Sequence, residues 1–391
     1  MTEENSGGEA LVSDYRQYLS FKILILSVLL IILLAVFGFA LTQGSRGVGF
    51  IESYQCIIDH ILGKEFEVGT EEWWDHFMVW NIQMPRVMSA LVVGAGLAVC
   101  GCVMQAITRN PLADPYTTGM TSGAEFGVAV AMVMGFSIGQ NIGQYGLIVN
   151  AFVFGMVPAL FIIAVTRFKT ESPATIILAG IAISYLFNAM TTLLLLGADA
   201  ATIQEVYLWQ LGTLEKIDWN ELTIMAVAVA IGLIFMFSMS RNLNLLSLGT
   251  GSASTLGLDV GTFRIIMLLV ISLVTATIVS FSGIIGFLGL VAPHMMRMII
   301  GGDNRFTIPS AALAGAAILL IADTVGRTIV LPYTIPVGVV MSFIGAPIFL
   351  ALIIKMKREV YRWDSRNSAT DTGNTSGGKF CSLRCVFPSG L

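Results

Sequence analysis

Apolar stretches long enough to cross a bilayer recur along most of the chain, and short polar turns separate them. A transmembrane helix needs about 20 mainly apolar residues. The stretches of about this length are 21–42, 87–107, 114–135, 144–165, 174–197, 220–240, 264–282, 284–300, 307–329 and 336–355. The pattern therefore predicts an all-α, polytopic membrane protein with about ten transmembrane helices.

The composition agrees with this membrane class. Of the 391 residues, 55% are hydrophobic and only 12% are charged, whereas a soluble domain has about 25% charged residues. The apolar run from Phe21 to Leu41 is longer than the core of a signal peptide, which has about 7–15 residues. It therefore predicts a retained first helix that follows an N-terminal tail, 1–20. The scattered cysteines indicate no disulfide framework.

Ten spans place both termini on one side, and the basic residues indicate which side that is. On the terminal side, up to Arg362, lie Arg16, Lys22, Arg109, Arg167, Lys169, Arg241, Arg264, Arg297, Arg305, Lys355, Lys357, Arg358 and Arg362. On the opposite side lie only Arg46, Lys64, Arg86, Lys216 and Arg327. Because cytoplasmic loops are enriched in lysine and arginine, both termini are predicted to be cytoplasmic in a multi-pass protein of the cell membrane.

The first external loop, 43–80, is acidic and ends in EEWWDHFMVW. In this stretch Trp73, Phe77 and Trp80 are spaced by four and three residues, which would place them on one face of a helix. Such an aromatic face is typical of an anchor in the headgroup layer of the membrane. The alternative is a surface on which a partner protein docks.

The sequence after Trp363 is rich in Ser, Thr, Asn and Gly and predicts a disordered tail, 364–391. Within it GNTSGGKF has the spacing G-x-x-x-x-G-K of a phosphate-binding loop. Phe380, however, stands where Ser or Thr is required, and no strand precedes the motif. Cys381 and Cys385 have no further metal ligands near them in the sequence. We therefore expect this chain to bind neither ATP nor a metal.

Ionised side chains are costly in the bilayer, at least about 2.5–3.5 kcal/mol at its centre. Asp323 and Arg327 stand four residues apart in the ninth span, so they are expected to pair on one helix face. Glu125, in the third span, is expected to face a cavity, to have a polar partner or to be protonated. His294 in APHMMR is solitary, which favours a structural, hydrogen-bonding role over the role of a haem or iron ligand.

Two polar links have patterns of their own. In RNPLADPYTTGMTSGAEFG, 109–127, the two prolines bias Asn110 and Asp114 away from helix, so the chain is predicted to turn sharply there on the cytoplasmic side. In the link 243–263 apolar and small residues recur at spacings of three and four. This predicts a short amphipathic helix ending at Gly257 that could dock into a groove on a soluble partner. A solvated loop with a helical turn is the alternative.

Several segments, taken together, resemble one known family. They are MPRVMSALVVGAGLAVCGCVMQAITRNPLADPYTTGMTSGAEFG (84–127), ILAGIAISYLFNA (177–189), LWQLGTL (208–214), LSLGTGSASTLGLDV (246–260), FSGIIGFLGLVAPHMMRMIIGGDNRF (281–306), PSAALAGAAILLIADTVGR (309–327) and IPVGVVMSFIGAPIFLALI (335–353). In this order, over about residues 79–356, they resemble the FecCD family. Its members are permease subunits of ATP-binding-cassette (ABC) importers for iron–siderophore, haem and vitamin B12 complexes.

The resemblance implies the architecture of an ABC type II importer permease for the domain 21–358, with a second permease copy beside it. It also implies cytoplasmic ATPase subunits that hold ATP and Mg²⁺, and an external substrate-binding protein. The chain itself would carry no catalytic residue and no cofactor, and nothing indicates a nucleic-acid partner. Its substrate would be an iron chelate, haem or a cobalamin, moved by alternating access. The alternative function is an ion-coupled secondary transporter that uses Glu125 and Asp323.

The resemblance also implies roles for particular residues. Asn110 and Leu112 match residues that narrow the path at its cytoplasmic end. Arg86 and Arg327 resemble basic residues that bind acidic residues of the binding protein, and Glu125 is a candidate for lining the path. The link 243–263 corresponds to the segment that couples the permease to the ATPase. Its predicted contact residues are Leu246, Leu248, Gly249, Ala253, Leu256 and Gly257.

Overall fold

The structure is a computed structural model that describes residues 2–43, 48–64, 66–138, 145–168, 173–352 and 354. The chain divides into two compact units, 1–346 and 347–391. The second unit is described only over 347–352 and at 354, where it is helical. The predicted tail, 364–391, lies outside the described residues.

The described residues form helices and connecting turns and contain no strand, which confirms the predicted all-α class. The helices are α1 (Thr2–Thr42), α2 (Phe50–Ile61), α3 (Glu71–Phe77), α4 (Met84–Thr108), α5 (Met120–Met134), α6 (Tyr145–Phe168), α7 (Pro173–Leu195), α8 (Ala200–Gln210), α9 (Trp219–Ser238), α10 (Ser240–Ser247), α11 (Thr250–Thr255), α12 (Val260–Ser282), α13 (Leu288–Ile300), α14 (Asn304–Thr328) and α15 (Val337–Leu352). A π-helical turn (Met78–Gln83) joins α3 to α4, and a 3-10 turn (Pro115–Thr118) precedes α5.

Each predicted span corresponds to one helix. Within the described ranges, seven helical stretches are long and apolar enough to cross a membrane, and they contain α1, α4, α6, α7, α9, α12 and α14. The shorter apolar helices α5, α13 and α15 occupy the three remaining predicted spans. The prediction of a polytopic membrane protein is therefore confirmed, whereas the cytoplasmic placement of the termini stays a prediction.

Some helix boundaries differ from those that hydropathy predicts. The span predicted at 284–300 becomes helical only at Leu288, because Gly283 and Phe287 have φ values of 71° and 66°. These left-handed values interrupt a helix. Conversely, α1 continues back through the predicted tail to Thr2. The helices α2 and α8 were not predicted, because both are too short for a spanning helix.

Successive spans run in alternate directions, so the links between them lie at two ends of the bundle. We call the end with residues 109–119 the turn end, and it also carries α10 and α11. The opposite end carries α2, α3 and α8. Side-chain contacts agree with this division, because Asn244 of α10 bonds Asp303 at the start of α14. At the opposite end the indole N–H of Trp219 donates to the Trp80 carbonyl oxygen at 3.0 Å.

Helix α4 packs against α13 and α14 through glycines that allow the backbones to touch. A Cβ atom on Gly101 would lie 1.9 Å from the carbonyl oxygen of Gly289 in α13. A Cβ atom on Gly94 would lie 2.6 Å from the carbonyl oxygen of Gly315 in α14. Most of the side chains of α4 are buried, so this helix forms the centre of the bundle.

Helix α1 is attached along α14, and over residues 16–42 it exposes most of its remaining surface. Near the turn end the buried ammonium of Lys22 lies 4.6 Å from the ring centre of Phe306. Near the opposite end the guanidinium of Arg327 donates to the carbonyl oxygens of Ala40 and Gln43, at 3.3 and 2.7 Å. Only 6% of the most apolar part of α1 is buried. This helix therefore presents an apolar surface to the surrounding membrane.

Two links and the start of α15 meet at the opposite end, at Gly212, Gly283 and Gly338. The backbone N–H of Gly338 donates to the Gly212 carbonyl oxygen at 3.2 Å, and that of Thr213 donates to Ser282 at 2.8 Å. A Cβ atom on any of the three glycines would lie only 2.2–2.4 Å from a neighbouring carbonyl oxygen. We call this contact the glycine junction.

Candidate gate and coupling segment

The turn at 109–119 has the sharp geometry that its prolines predict. Helix α4 ends at Thr108, and Arg109 caps it in the left-handed conformation with φ 51°. The side-chain oxygen of Asn110 accepts a hydrogen bond from the N–H of Leu112 at 3.0 Å, which closes an Asx turn. Leu112 is exposed and Asn110 is half-buried. The two predicted gate residues therefore lie together on this turn, and their gating role stays a prediction.

The second half of the turn is fixed by Asp114 and by contact with α7. Asp114 has an extended backbone, and its Oδ1 atom accepts a hydrogen bond from the Tyr116 N–H at 3.1 Å. Pro115 then starts the 3-10 turn, as its fixed φ favours. A Cβ atom on Gly119 would lie 2.8 Å from the hydroxyl of Ser184 in α7. The turn is therefore held against a neighbouring helix and is not a free loop.

The predicted coupling helix, from about Leu246 to Gly257, is two helices in the structure. Helix α10 ends at Ser247, and α11 covers only Thr250–Thr255. The break occurs because Gly249 has φ 113°, a value that ends a helix and that glycine tolerates. The predicted start of this helix at about Leu246 is therefore wrong, whereas a short helix that ends just before Gly257 is confirmed by α11. Gly249 and Gly257 do bracket a short helical piece, as the spacing indicates.

The break divides the predicted ATPase-contact residues into a buried set and an exposed set. Leu246 and Ala253 have no exposed surface, so they attach the two helices to the bundle. Leu248 and Leu256 are 62% and 60% exposed. These two leucines are therefore the large apolar side chains in 246–257 that remain available to another protein.

Asn244 in α10 connects the segment to α14. Its Nδ2 atom donates to Asp303 Oδ1 at 2.7 Å, and its Oδ1 atom accepts from the backbone N–H and the side-chain amide of Asn304, both at 2.8 Å. Burial raises the pKa of Asp303, but hydrogen bonds from Arg305 and Asn244 outweigh it and lower the pKa to about 2. Asp303 is therefore ionised at neutral pH, and α10 is bonded to the first turn of α14.

Arg86 and Arg327 belong to a buried charge cluster near the opposite end of the bundle. Arg86 Nε lies 2.9 Å from Asp323 Oδ1, and Arg327 Nε lies 3.1 Å from Asp323 Oδ2. All three side chains are buried. The predicted pair of Asp323 and Arg327 is confirmed, and Arg86 joins it from α4. Docking of a binding protein on the two arginines stays a prediction, and within this chain both guanidinium groups face Asp323.

Glu125 has a polar partner, which is one of the three options that the sequence leaves open. The side-chain amide of Gln210, the last residue of α8, donates to Glu125 Oε1. Glu125 is half-buried in α5. Val206 is the residue of α8 that is fully buried. The bond between Glu125 and Gln210 is therefore a specific connection between α5 and an otherwise exposed helix.

Two of the three histidines lie at the opposite end of the bundle, and the third lies within α13. In the ranges that the structure describes, no group of three or more His, Cys, Asp or Glu side chains could hold a metal ion. His294 is buried in α13. At the opposite end His60 Nδ1 and His76 Nε2 are 3.1 Å apart, and the His60 ring stacks on Trp80 with centres 3.8 Å apart. This stack packs α2 against α3 and the π-helical turn.

A comparison with protein families identifies the chain. The model of the FecCD transport family matches residues 23–355, which run from α1 to just beyond the described end of α15. The chain belongs to the FecCD transport family. As a FecCD protein it is a permease subunit of an ABC importer of the metal-chelate type. It is therefore a membrane-embedded transport subunit.

Similar proteins agree with the FecCD assignment. A protein of Methanocaldococcus jannaschii named as an ABC transporter permease is 38% identical over 353 residues, which are 88% of this chain and 98% of that protein. The hemin transport system permease protein of Yersinia pestis is 37% identical over 282 residues, 72% of this chain and 84% of its own. A solved structure described as an inward-facing conformation of a metal-chelate type ABC transporter has a TM-score of 0.73 at 30% identity. It covers 85% of this chain and 99% of its own.

Proposed function

We propose that this permease subunit imports an iron chelate, haem or a cobalamin, and that separate ATPase subunits holding ATP and Mg²⁺ drive it by alternating access. Membership of the FecCD family and the similarity to a hemin permease support this substrate class. One observation supports the mechanism above all. The segment α10–α11 exposes Leu248 and Leu256, while Asn244 bonds the same segment to α14.

The described residues take the following roles in this proposal. An ATPase binds the two exposed leucines at the turn end, which is cytoplasmic together with both termini. Asn110 and Leu112 narrow the path beside that end, and Glu125 lines it further in. The external binding protein docks at the opposite end, where Arg86 and Arg327 hold α4 and α14 together. A second permease copy completes the path.

Reconstitution tests the proposed function. The chain is inserted into proteoliposomes with its cognate ATPase and binding protein, and the binding protein is loaded in turn with ferric siderophores, haemin and cyanocobalamin. ATPase activity is expected to rise with one of these ligand classes. A rate that rises with none of them would contradict the proposal. Uptake driven by a pH gradient without an ATPase, and abolished by Glu125→Gln, would support the secondary transporter, which the similarity to ABC permeases does not favour.

The exposed leucines give a second test. A Leu248→Asp, Leu256→Asp variant is expected to weaken binding of the ATPase by about 30-fold, which corresponds to about 2 kcal/mol for a central apolar contact. Both side chains are exposed in the free chain, so its folding is expected to be unchanged. Co-purification and titration in detergent measure the affinity. The control is Val68→Asp, at a position that is 78% exposed at the opposite end, and equal affinities of the two variants for the ATPase would show that α10–α11 does not contact it.

Asn244 is expected to transmit conformational changes between the ATPase and the helices of the permease, in addition to stabilising the chain. In the reconstituted complex Asn244→Ala should lower the stimulation of ATPase activity by loaded binding protein several-fold while basal activity and assembly persist. Asn242→Ala is the matched control, because Asn242 lies on the same helix and its amide donates to the nearby sulfur of Met239, at 3.9 Å.

A charge exchange sharpens this test of Asn244. Asn244→Asp should lose more stimulation than Asn244→Ala, because it places a carboxylate against the ionised Asp303. Adding Asp303→Asn should restore stimulation, since asparagine can donate to the new carboxylate and still cap α14. Two results would contradict a role of Asn244 in coupling. One is equal stimulation of ATPase activity in Asn244→Ala and Asn242→Ala, and the other is no recovery of stimulation when Asp303→Asn is added to Asn244→Asp.

A further inference from the structure

Helix α2, at the opposite end of the bundle, turns an apolar side away from the protein. Phe50, Ile51, Ile58 and Ile61 are 59%, 71%, 54% and 72% exposed. At about 100° per residue these four positions occupy one sector of about 100° on the helix. These four exposed residues therefore form one apolar strip along α2, which we call the α2 strip.

The polar side of α2 faces the protein's own α3. Glu52, Gln55, Cys56 and Asp59 line a cavity of about 320 Å³, whose other walls include Glu72 and Asp75 of α3. A helix on a water-facing surface normally turns its apolar side inward, whereas α2 leaves these four apolar side chains exposed. Water is therefore an unfavourable surrounding for the α2 strip.

The position of α2 beside α1 indicates what covers the strip. Tyr54 of α2 packs tightly on α1, because a Cβ atom on Gly38 would lie 2.4 Å from the Tyr54 hydroxyl oxygen. The surface of α1 in this region is apolar and exposed, as at Leu34 and Phe39. In a membrane protein such a surface is in contact with lipid. The α2 strip thus begins where the lipid-facing surface of α1 ends.

Aromatic side chains on α3 agree with an interfacial position. Trp73 and Phe77 stack with ring centres 5.3 Å apart, and Trp74 packs edge-on against Trp73 at 4.7 Å while remaining partly exposed. Tryptophan is enriched where hydrocarbon meets headgroups. Helices α2 and α3 therefore both have side chains that suit the edge of a bilayer.

We propose that α2 is an interfacial helix whose strip of Phe50, Ile51, Ile58 and Ile61 is inserted in the lipid leaflet at the opposite end of the bundle. Its acidic side faces the cavity beside α3. Helices α2 and α3 are then anchored both to the rest of the protein and to the membrane, as an amphipathic helix in the interface plane is. The strip contacts acyl chains and no protein partner. This inference does not depend on the transported ligand or on the ATPase.

Collision measurements with spin labels test the proposal on the full chain. Cys56, Cys381 and Cys385 are replaced by serine, and the fully buried Cys100 and Cys102 are retained, with the unlabelled background as a check that they do not react. A nitroxide is then attached separately at Ile51→Cys, Ile58→Cys and Ile61→Cys. The control label is at Gln55→Cys, which is exposed on the cavity side of the same helix.

The samples are lipid nanodiscs of phosphatidylcholine and phosphatidylglycerol, and each label is probed with oxygen and with a water-soluble nickel chelate. The strip labels are expected to show an oxygen-to-nickel collision ratio several-fold above that of the Gln55 label. Ratios no higher than the control would place the strip in water and overturn the proposal. Immobilised labels that collide with neither reagent would show a protein cover, either a second copy or a partner, and would also overturn it. The three strip positions are independent, so one misfolded variant leaves the test intact.

Discussion

An Asp323→Ala variant is expected to lose about 3–5 kcal/mol of unfolding free energy, because it leaves two buried arginines without their shared carboxylate. Arg86 and Arg327 approach Asp323 at 2.9 and 3.1 Å from two different helices, α4 and α14. Their burial prevents water from replacing the lost oxygens. Denaturant titration and thermal unfolding of the purified chain in detergent measure the loss.

The control for Asp323 is Arg305→Ala, which removes an exposed side chain from its pair with the half-buried Asp303 at 2.8 Å. Exposed ion pairs contribute only about 0–1 kcal/mol, so this variant should unfold almost as the wild type does. Asp323→Asn should fall between the two, since it retains one oxygen acceptor without the charge. If Asp323→Ala is as stable as Arg305→Ala, the cluster does not hold α4 to α14.

A Gly101→Ala variant is expected to cost at least the upper end of the about 1–3 kcal/mol typical of an overpacked core. The added methyl would lie 1.9 Å from the carbonyl oxygen of Gly289, and backbone, unlike the end of a side chain, cannot rotate aside. Helices α4 and α13 would have to separate along their contact. The same unfolding measurements detect the change, and cross-linking between the two helices would show the separation.

Gly251→Ala serves as the matched control for Gly101. Gly251 lies in α11, is exposed, and has no atom within 4 Å of an added Cβ. Alanine is the better helix former, so this change should be neutral or stabilising by up to about 1 kcal/mol. Equal free energies of unfolding for Gly101→Ala and Gly251→Ala would mean that the contact between α4 and α13 accommodates the methyl group without loss of stability.

The spanning helices could be predicted from the sequence because a bilayer requires long apolar segments with every backbone group bonded inside the helix. The non-helical stretch before Leu288 could not, since it depends on left-handed φ values at Gly283 and Phe287 that hydropathy does not record. Helix α8 was also missed. It has eleven residues, of which Val206 is fully buried, so it has almost no apolar periodicity to detect.

The candidate site was predictable where the cause is local. Prolines act on their own neighbours, so the turn at Asn110 followed from the sequence. The cluster of Arg86 and Asp323 joins residues 237 positions apart, a distance over which helical spacing carries no information. Asn242 and Asn244 are chemically identical and two residues apart on one helix, and the packing of α10 on α14 selects Asn244 as the one that bonds Asp303.

The glycine junction limits how the bundle can move. Gly212, Gly283 and Gly338 bring the α8–α9 link, the α12–α13 link and the start of α15 into one backbone contact, and hydrogen bonds between main-chain atoms join them. While these hydrogen bonds are intact, the three segments therefore move together and cannot shift separately. An opening of the bundle at this end that keeps these hydrogen bonds would therefore leave the three segments together and tilt the helices about the junction.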